Sequence, residues 1–137
     1  MAVLQDIMTK DCAHAEPKDD LYTLAAKMKT HDVGFLPIIE KNELKGTLTD
    51  RDLVVKGLAK ENSQNEIHAA SIMTEKVITG FPNMEVEEAS RLMQEHQIQR
   101  LPVVENGELK GIASIGDMAT SKHADQSAGN ALSEIKK

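Results

Sequence analysis

The sequence predicts a mixed α/β fold made of two tandem copies of one β-α-β-β-α unit. The first observation is an internal repeat. Shifting the 137-residue chain by 65 positions lays Ile7-Met8-Thr9 on Ile72-Met73-Thr74, Pro17 on Pro82, His31 on His96, Leu36-Pro37 on Leu101-Pro102, Glu43-Leu44-Lys45-Gly46 on Glu108-Leu109-Lys110-Gly111 and Asp52 on Asp117, with no gap. A fixed period without insertions means two copies of one supersecondary unit, each too small to bury its own apolar face and each supplying what the other lacks. The second is periodicity, which alternates between helical spacing and short apolar runs within each copy. The third is size: 137 residues, 40% hydrophobic and 28% charged, suit one domain with a real core rather than two independent ones. A site between the copies should then come as a pseudo-symmetric pair.

The elements follow in order. Short first strands are expected over residues 12–15 and 77–80. Pro17-Lys18-Asp19-Asp20 is a turn and helix-start signal, behind which Leu21, Leu24, Ala25 and Met28 recur at the spacing of a one-faced helix. Val86, Ala89, Ser90 and Met93 repeat the pattern in the second copy. Phe35-Leu36-Pro37-Ile38-Ile39 is too brief for a helix and rich in β-branched residues, so it reads as a strand that its proline confines to an end or an edge. Lys41-Asn42-Glu43 and Asn106-Gly107-Glu108 read as hairpin turns, with residues 44–48 and 109–113 returning antiparallel. A second helix opens at Thr49 or Ser114. The expected division is residues 6–60 for the first repeat, 61–70 for a polar linker, 71–124 for the second repeat and 125–137 for a tail. Residues 67–71 are expected as a lead-in helix, and 131–135 as one or two helical turns.

Composition narrows the function. The net charge is −6 and no Lys/Arg cluster occurs, which argues against nucleic acid as a partner. The start lacks the basic end and apolar stretch of a signal peptide, and no apolar run approaches the roughly 20 residues of a spanning helix. No membrane partner and a cytoplasmic location are expected, in keeping with the single Cys12.

The chemistry concentrates at the strand-to-helix junctions, Gly46-Thr47-Leu48-Thr49-Asp50-Arg51-Asp52 and Gly111-Ile112-Ala113-Ser114-Ile115-Gly116-Asp117. A hydroxyl followed three positions later by a carboxylate has two readings. As a capping box, Thr49 accepts from the amide of Asp52 while the carboxylate reaches back, worth about 1 kcal/mol to the helix. As a ligand site, the helix start offers amides to a phosphate, and the carboxylate takes two hydrogen bonds from a ribose diol.

The order of these motifs, from Ile-Met-Thr through the apolar-Pro-apolar strand to Gly and hydroxyl-x-x-Asp, resembles the cystathionine-β-synthase (CBS) domain. Two in tandem over residues 6–124 resemble a freestanding bacterial CBS-domain pair. The resemblance implies two β-α-β-β-α repeats packed sheet to sheet about a pseudo-twofold axis, and a homodimer. It also implies an adenosine-type ligand in a cleft between repeats, the ribose held by the Asp of one copy and the base lying against the other. For the site on Asp52, that places Thr47, Thr49 and Asp52 at the sugar and phosphate, with Val77, Ile78, Ile98 and Gln99 at the base. Arg100 matches a position that in some relatives reaches phosphate, and Arg51 sits on the same helix start. The site on Asp117 would combine Ile112, Ser114 and Asp117 with Cys12, Ala13, Val33, Gly34 and Phe35.

These two sites are unequal. A phosphate needs a charge-assisted donor to compete with its hydration, and arginine is the best fork for it. Where the Asp52 site has Arg51 and Arg100, the Asp117 site has Gly116 and Phe35. The Asp52 site is therefore expected to prefer the phosphorylated ligand, and the Asp117 site to be empty, weaker or suited to a less charged adenosine compound. The rival reading leaves both arginines as solvated surface charges.

The expected function is regulatory sensing of an adenosine-containing nucleotide, read by a separate, unidentified protein partner. AMP, ADP and ATP are the first candidate ligands, followed by S-adenosylmethionine, NAD(H) or a cyclic dinucleotide, with no cofactor required. The alternative is a ligand-independent dimerisation or protein-interaction module with vestigial clefts. No nucleophile elbow, P-loop or metal-ligand spacing is present in the sequence, so no enzyme and no metal site are expected. His31 and His96 fall at helix ends, where the dipole is the simpler account. Met28 and Met93 read as core filling, Met8 and Met73 have no assigned role, and Cys12 is read as a buried, inert thiol rather than a nucleophile.

Overall fold

The structure is a computed structural model describing residues 2–59 and 66–120. The first part of the polar linker, the tail and its expected helical turns lie outside these residues. The elements are α1 (Leu4–Ile7), α2 (Leu21–His31), β1 (Phe35–Glu40), β2 (Glu43–Thr49), α3 (Asp50–Asp52), a π-helix (Leu53–Leu58), α4 (Ala69–Ile72), α5 (Val86–His96), β3 (Arg100–Glu105), β4 (Glu108–Ser114) and α6 (Ile115–Ala119). The class is mixed helix and strand, as the periodicity requires.

The chain forms two compact units. One is Ala13–Val77; the other joins the described residues up to Cys12 to those from Ile78 onward. Each unit has its own core, built on Leu24, Leu36, Ile38, Leu48 and Ile72 in the first and on Leu4, Met93, Leu101, Val103 and Met118 in the second. A single copy does lack enough apolar surface, and the missing piece is its counterpart's lead-in. Thus α4, from the start of the second copy, completes the first unit, where Ala69 N donates to Asp19 O (2.8 Å) and Ala70 N to Pro17 O (2.9 Å). The segment containing α1 completes the second unit through Leu4 N to Met84 O (2.9 Å) and Gln5 N to Pro82 O (3.0 Å).

The Ile-Met-Thr motifs fasten these lead-ins. Thr74 exchanges both backbone hydrogen bonds with Thr47 (3.0 and 2.8 Å), and Thr9 does the same with Ile112 (2.9 Å each). Beside them Met73 lies over Gly46 and Met8 over Gly111, so close that a Cβ on either glycine would sit 2.7 Å from the methionine sulfur. Met8 and Met73 thereby acquire a role as the caps of two glycine gaps.

Pairing within each hairpin follows expectation, Phe35 opposite Thr49 and Arg100 opposite Ser114, with bulges at Ile38/Ile39 and Val103/Val104. The turn residues Lys41 (φ 53°), Asn42 (φ 67°), Asn106 (φ 55°) and Gly107 (φ 83°) are left-handed. Consecutive left-handed residues make the two-residue turn whose twist matches its strands.

The first strand of each copy is a correction. Residues 12–15 and 77–80 contribute one parallel bridge each, Ala15 to Ile38 and Gly80 to Val103. Ala15 N donates to Pro37 O (3.0 Å) and Ile39 N to Ala15 O (2.8 Å), matched by Gly80 N to Pro102 O (2.8 Å) and Val104 N to Gly80 O (2.9 Å). The next bond of each ladder would need an N–H on Pro37 or Pro102, which proline lacks, so the ladder stops.

Helix α2 is capped by Asp20, which accepts from Thr23 N at 2.8 Å; α5 starts at Glu85 without a side-chain cap. The second helix of the first copy also departs from expectation. After the single turn of α3 it widens into the π-helix, closed by Ala59 N donating to Val54 O at 2.9 Å, while the second copy continues as α6.

Candidate functional site

In the Ala13–Val77 unit, β2 delivers Thr49 to the start of α3. Asp52 N donates to Thr49 Oγ1 (3.2 Å) and Thr49 N donates to Asp52 Oδ2 (2.8 Å), a reciprocal capping box. The other carboxylate oxygen, Oδ1, lies 3.4 Å from Lys56 Nζ. The Asp52 side chain is 17% exposed and that of Lys56 46%, so the carboxylate is held while the ammonium stays wet. Arg51 is exposed, and its N–H donates to Asp50 Oδ1 at 2.9 Å.

The same unit brings part of the second residue set to this spot. Asp50 N donates to Gly34 O (3.0 Å) and Phe35 pairs with Thr49, so Gly34 and Phe35 border the capping box. A Cβ on Gly34 would lie 2.9 Å from Asp50 Oδ2, which makes glycine the fitting residue there. Val33 N donates to Met28 O (3.0 Å) just past α2, Ala13 packs against the core, and Val77 N bonds to Glu75 O (3.1 Å) at the end of the unit.

The second unit repeats the junction. Ser114 N donates to Asp117 Oδ2 (2.9 Å) and Asp117 N to Ser114 Oγ (3.0 Å). Arg100 pairs with Ser114, and Ile115 N donates to Gln99 O (3.1 Å), so Gln99 and Arg100 border this capping box. Ile78 and Ile98 pack against the core. Cys12 joins Ile112 and Asp117 here, its Sγ donating to Thr9 O at 3.0 Å. Burial pushes the Cys12 thiol above its ordinary pKa, the Ile112 backbone hydrogen bond opposes this, and the charges of Asp11 and Asp117 push it further up. Cys12 is therefore a protonated thiol near neutral pH, a poor nucleophile.

Both capping boxes are thus formed, yet they do not use up either carboxylate. An ionised carboxylate has about four acceptor positions, and the box engages one of them through the backbone. Lys56 was missed from sequence, although its i,i+4 spacing from Asp52 is a readable ion-pair signal. His31 and His96 occupy the last turns of α2 and α5 as expected. Among the described residues, no three His, Cys, Asp or Glu side chains are grouped to hold a metal ion, and no helix is long and apolar enough to cross a membrane.

One further hollow, of about 480 Å³, lies on the Ala13–Val77 unit among Leu21, Tyr22, Met28, Leu53, Val54 and Leu58, with Asp50 at its margin. Tyr22 is 73% exposed, and Val54, Val55 and Leu58 are also open to solvent.

The CBS domain matches this chain twice, over residues 4–57 and 69–124. The chain belongs to the CBS-domain family. The CBS domain-containing protein YhcV of Bacillus subtilis is 38% identical over 98% of this chain and 96% of its own length. Hypoxic response protein 1 of Mycobacterium tuberculosis is 34% identical over 87% of this chain and 84% of its own. Among solved structures, Hypoxic Response Protein I with two coordinated zinc ions superposes with a TM-score of 0.79 at 34% identity, covering 87% of this chain and 98% of that one. The CBS domain pair of protein MJ0100, in complex with 5-methylthioadenosine and S-adenosyl-L-methionine, superposes with a TM-score of 0.75 at 27% identity, covering 87% of this chain and 94% of that one. This chain is thus a tandem CBS-domain protein whose relatives include freestanding CBS proteins of similar length.

Proposed function

We propose that this CBS pair is a cytoplasmic regulatory module that binds an adenosine-containing nucleotide, with Asp52 holding the ribose and AMP, ADP or ATP as the first candidates. The observation that carries the reading is the state of Asp52. Its cap fixes the carboxylate through Oδ2 at 2.8 Å, leaving Oδ1 turned to a mobile cation at 3.4 Å rather than to the backbone. A carboxylate oriented in advance, with acceptor capacity to spare, is what a diol requires. The MJ0100 pair, complexed with two adenosine compounds, supports the ligand class. Thr47, Thr49 and Arg51 then serve the sugar and phosphate, Val77, Ile78, Ile98 and Gln99 the base, and Arg100 the phosphate. The Asp117 set, Ile112 and Ser114 with Cys12, Ala13, Val33, Gly34 and Phe35, takes a less charged adenosine compound or none. Binding, not turnover, is the activity, and a separate protein reads it.

Thermal shift and calorimetry with AMP, ADP and ATP test this. Ligand at a hundredfold excess over its Kd stabilises the fold by about 2.7 kcal/mol, well within detection. Asp52→Ala should abolish nucleotide binding and Asp117→Ala should leave most of it. Equal loss in both variants refutes the asymmetry, silence with every compound refutes the sensing reading, and product formed from ATP or AMP refutes the binding-only one.

The apolar hollow favours a second reading, a dimerisation module in which the boxes act only as caps. Exposed apolar side chains gathered in one place are a common mark of protein contact, and a second copy is the simplest partner because a twofold contact uses one patch twice. Under this reading the protein is a ligand-independent dimer by light scattering, Leu58→Asp makes it a monomer, and Asp52→Ala lowers stability alone.

A further inference from the structure

We infer that Lys56 sets the charge preference of the Asp52 site, selecting phosphate-bearing adenosine compounds over uncharged ones. This rests on the reading of Asp52 as the ribose carboxylate. Lys56 Nζ stands 3.4 Å from Asp52 Oδ1, and its side chain is the more exposed of the two, 46% against 17%. The ammonium can therefore follow an arriving ligand while the cap keeps the carboxylate in place.

The local charges make the case. Asp50 and Asp52 carry two negative charges on α3; Arg51 and Lys56 carry two positive ones on α3 and the π-helix. The cluster is neutral with Lys56 and net negative without it. A phosphate approaching within several ångströms of a net negative cluster meets repulsion that grows with its own charge, whereas an uncharged nucleoside does not. The second copy has Ile115, Gly116, Asp117 and, by sequence, Ser121 at the four matching positions, leaving its carboxylate without either cation of the first copy. An i,i+4 ion pair also supports a helix slightly, but that contribution is blind to which ligand is added.

The test is calorimetry of the whole protein and its K56M, K56R and K56E variants with adenosine, AMP, ADP and ATP at moderate salt, each variant's folding checked by its melting curve. K56M should weaken AMP about fivefold and ATP about twentyfold, leave adenosine within about twofold, and lose this gradation at high salt. K56R should keep AMP within about threefold of the wild type, and K56E should exceed K56M in every phosphorylated case. An equal loss for adenosine and the nucleotides, or no loss at all, overturns the role of Lys56. Wild-type protein that binds none of the four overturns the Asp52 reading itself, an outcome distinct from any produced by the variants.

Discussion

Asp52 and Asp117 open their helices with the same reciprocal hydrogen bonds, within 0.2 Å of each other in length. Beyond that first turn the two copies part. The first runs into a π-helix bearing Lys56, exposed Val54, Val55 and Leu58, and an apolar hollow; the second runs into α6, with Ala119 and Thr120 in place of the two valines. The cap is a local requirement of any helix start and is satisfied in both, while charge and apolar exposure are specific to one. Duplication has kept the parts that fold each copy and varied the parts that face solvent.

Four measurements break or sharpen this contrast. The largest effect is expected inside the cores. Leu4 is fully buried, whereas its counterpart in the other lead-in is Ala69; Gly80 beneath Leu4 is matched by Ala15. The volume is therefore distributed differently, large over small in one unit and small over small in the other. Leu4→Ala should cost about 2–5 kcal/mol in denaturant unfolding. Gly80→Ala, whose Cβ would fall 2.7 Å from Leu4 Cδ1, should cost less in the Leu4→Ala background than alone. Additive costs would show that the two residues do not share one space.

Next come the glycines under the methionines. Gly46→Ala and Gly111→Ala should each cost about 1–3 kcal/mol, because the new methyl meets both a methionine side chain and the carbonyl of Thr74 or Thr9. Unequal costs would mean that one lead-in is fastened more firmly than its mate. Thr49→Ala and Ser114→Ala should each cost about 1 kcal/mol by loss of a cap. A much larger penalty at Thr49 would mean that its hydroxyl supports more than the helix.

The smallest effect is pH-dependent. The backbone N–H and hydroxyl of Thr23 hold the Asp20 carboxyl below its ordinary pKa, with the charge of His68 helping. The folded value is lower than the unfolded one, so the cap contributes fully above the ordinary carboxylate pKa of about 4 and is lost as pH falls through the lowered value. Hydrogen exchange at the start of α2 should therefore accelerate in acid, and Asp20→Asn should remove that dependence. The start of α5, where Glu85 makes no side-chain cap, should not share it.

Much of this was legible in the chain. The repeat, the hairpin turns and the hydroxyl-x-x-Asp boxes are all local signals, and local signals survive translation into structure. The first strands were overread because apolar composition at residues 12–15 and 77–80 says nothing about the partner strand, whose prolines end the ladder. The π-helix has no sequence mark as simple as a cap. Met8 and Met73 could be located but not explained, since the glycines that they cover lie far along the chain. Lys56 was overlooked because attention fell on arginines, although the spacing to Asp52 was in plain view.

The lead-ins carry one more consequence, for anyone who would cut this protein in two. The sequence repeats at one set of positions, but the chain changes compact unit at another, after Cys12 and again after Val77. A fragment ending in the linker would retain its own clasp and lack the one that closes its core. The piece running from Ala13 to Val77 holds a complete set. Gene fusions or minimal fragments should respect that offset, because the unit that was copied and the unit that can stand alone are not the same stretch of polypeptide.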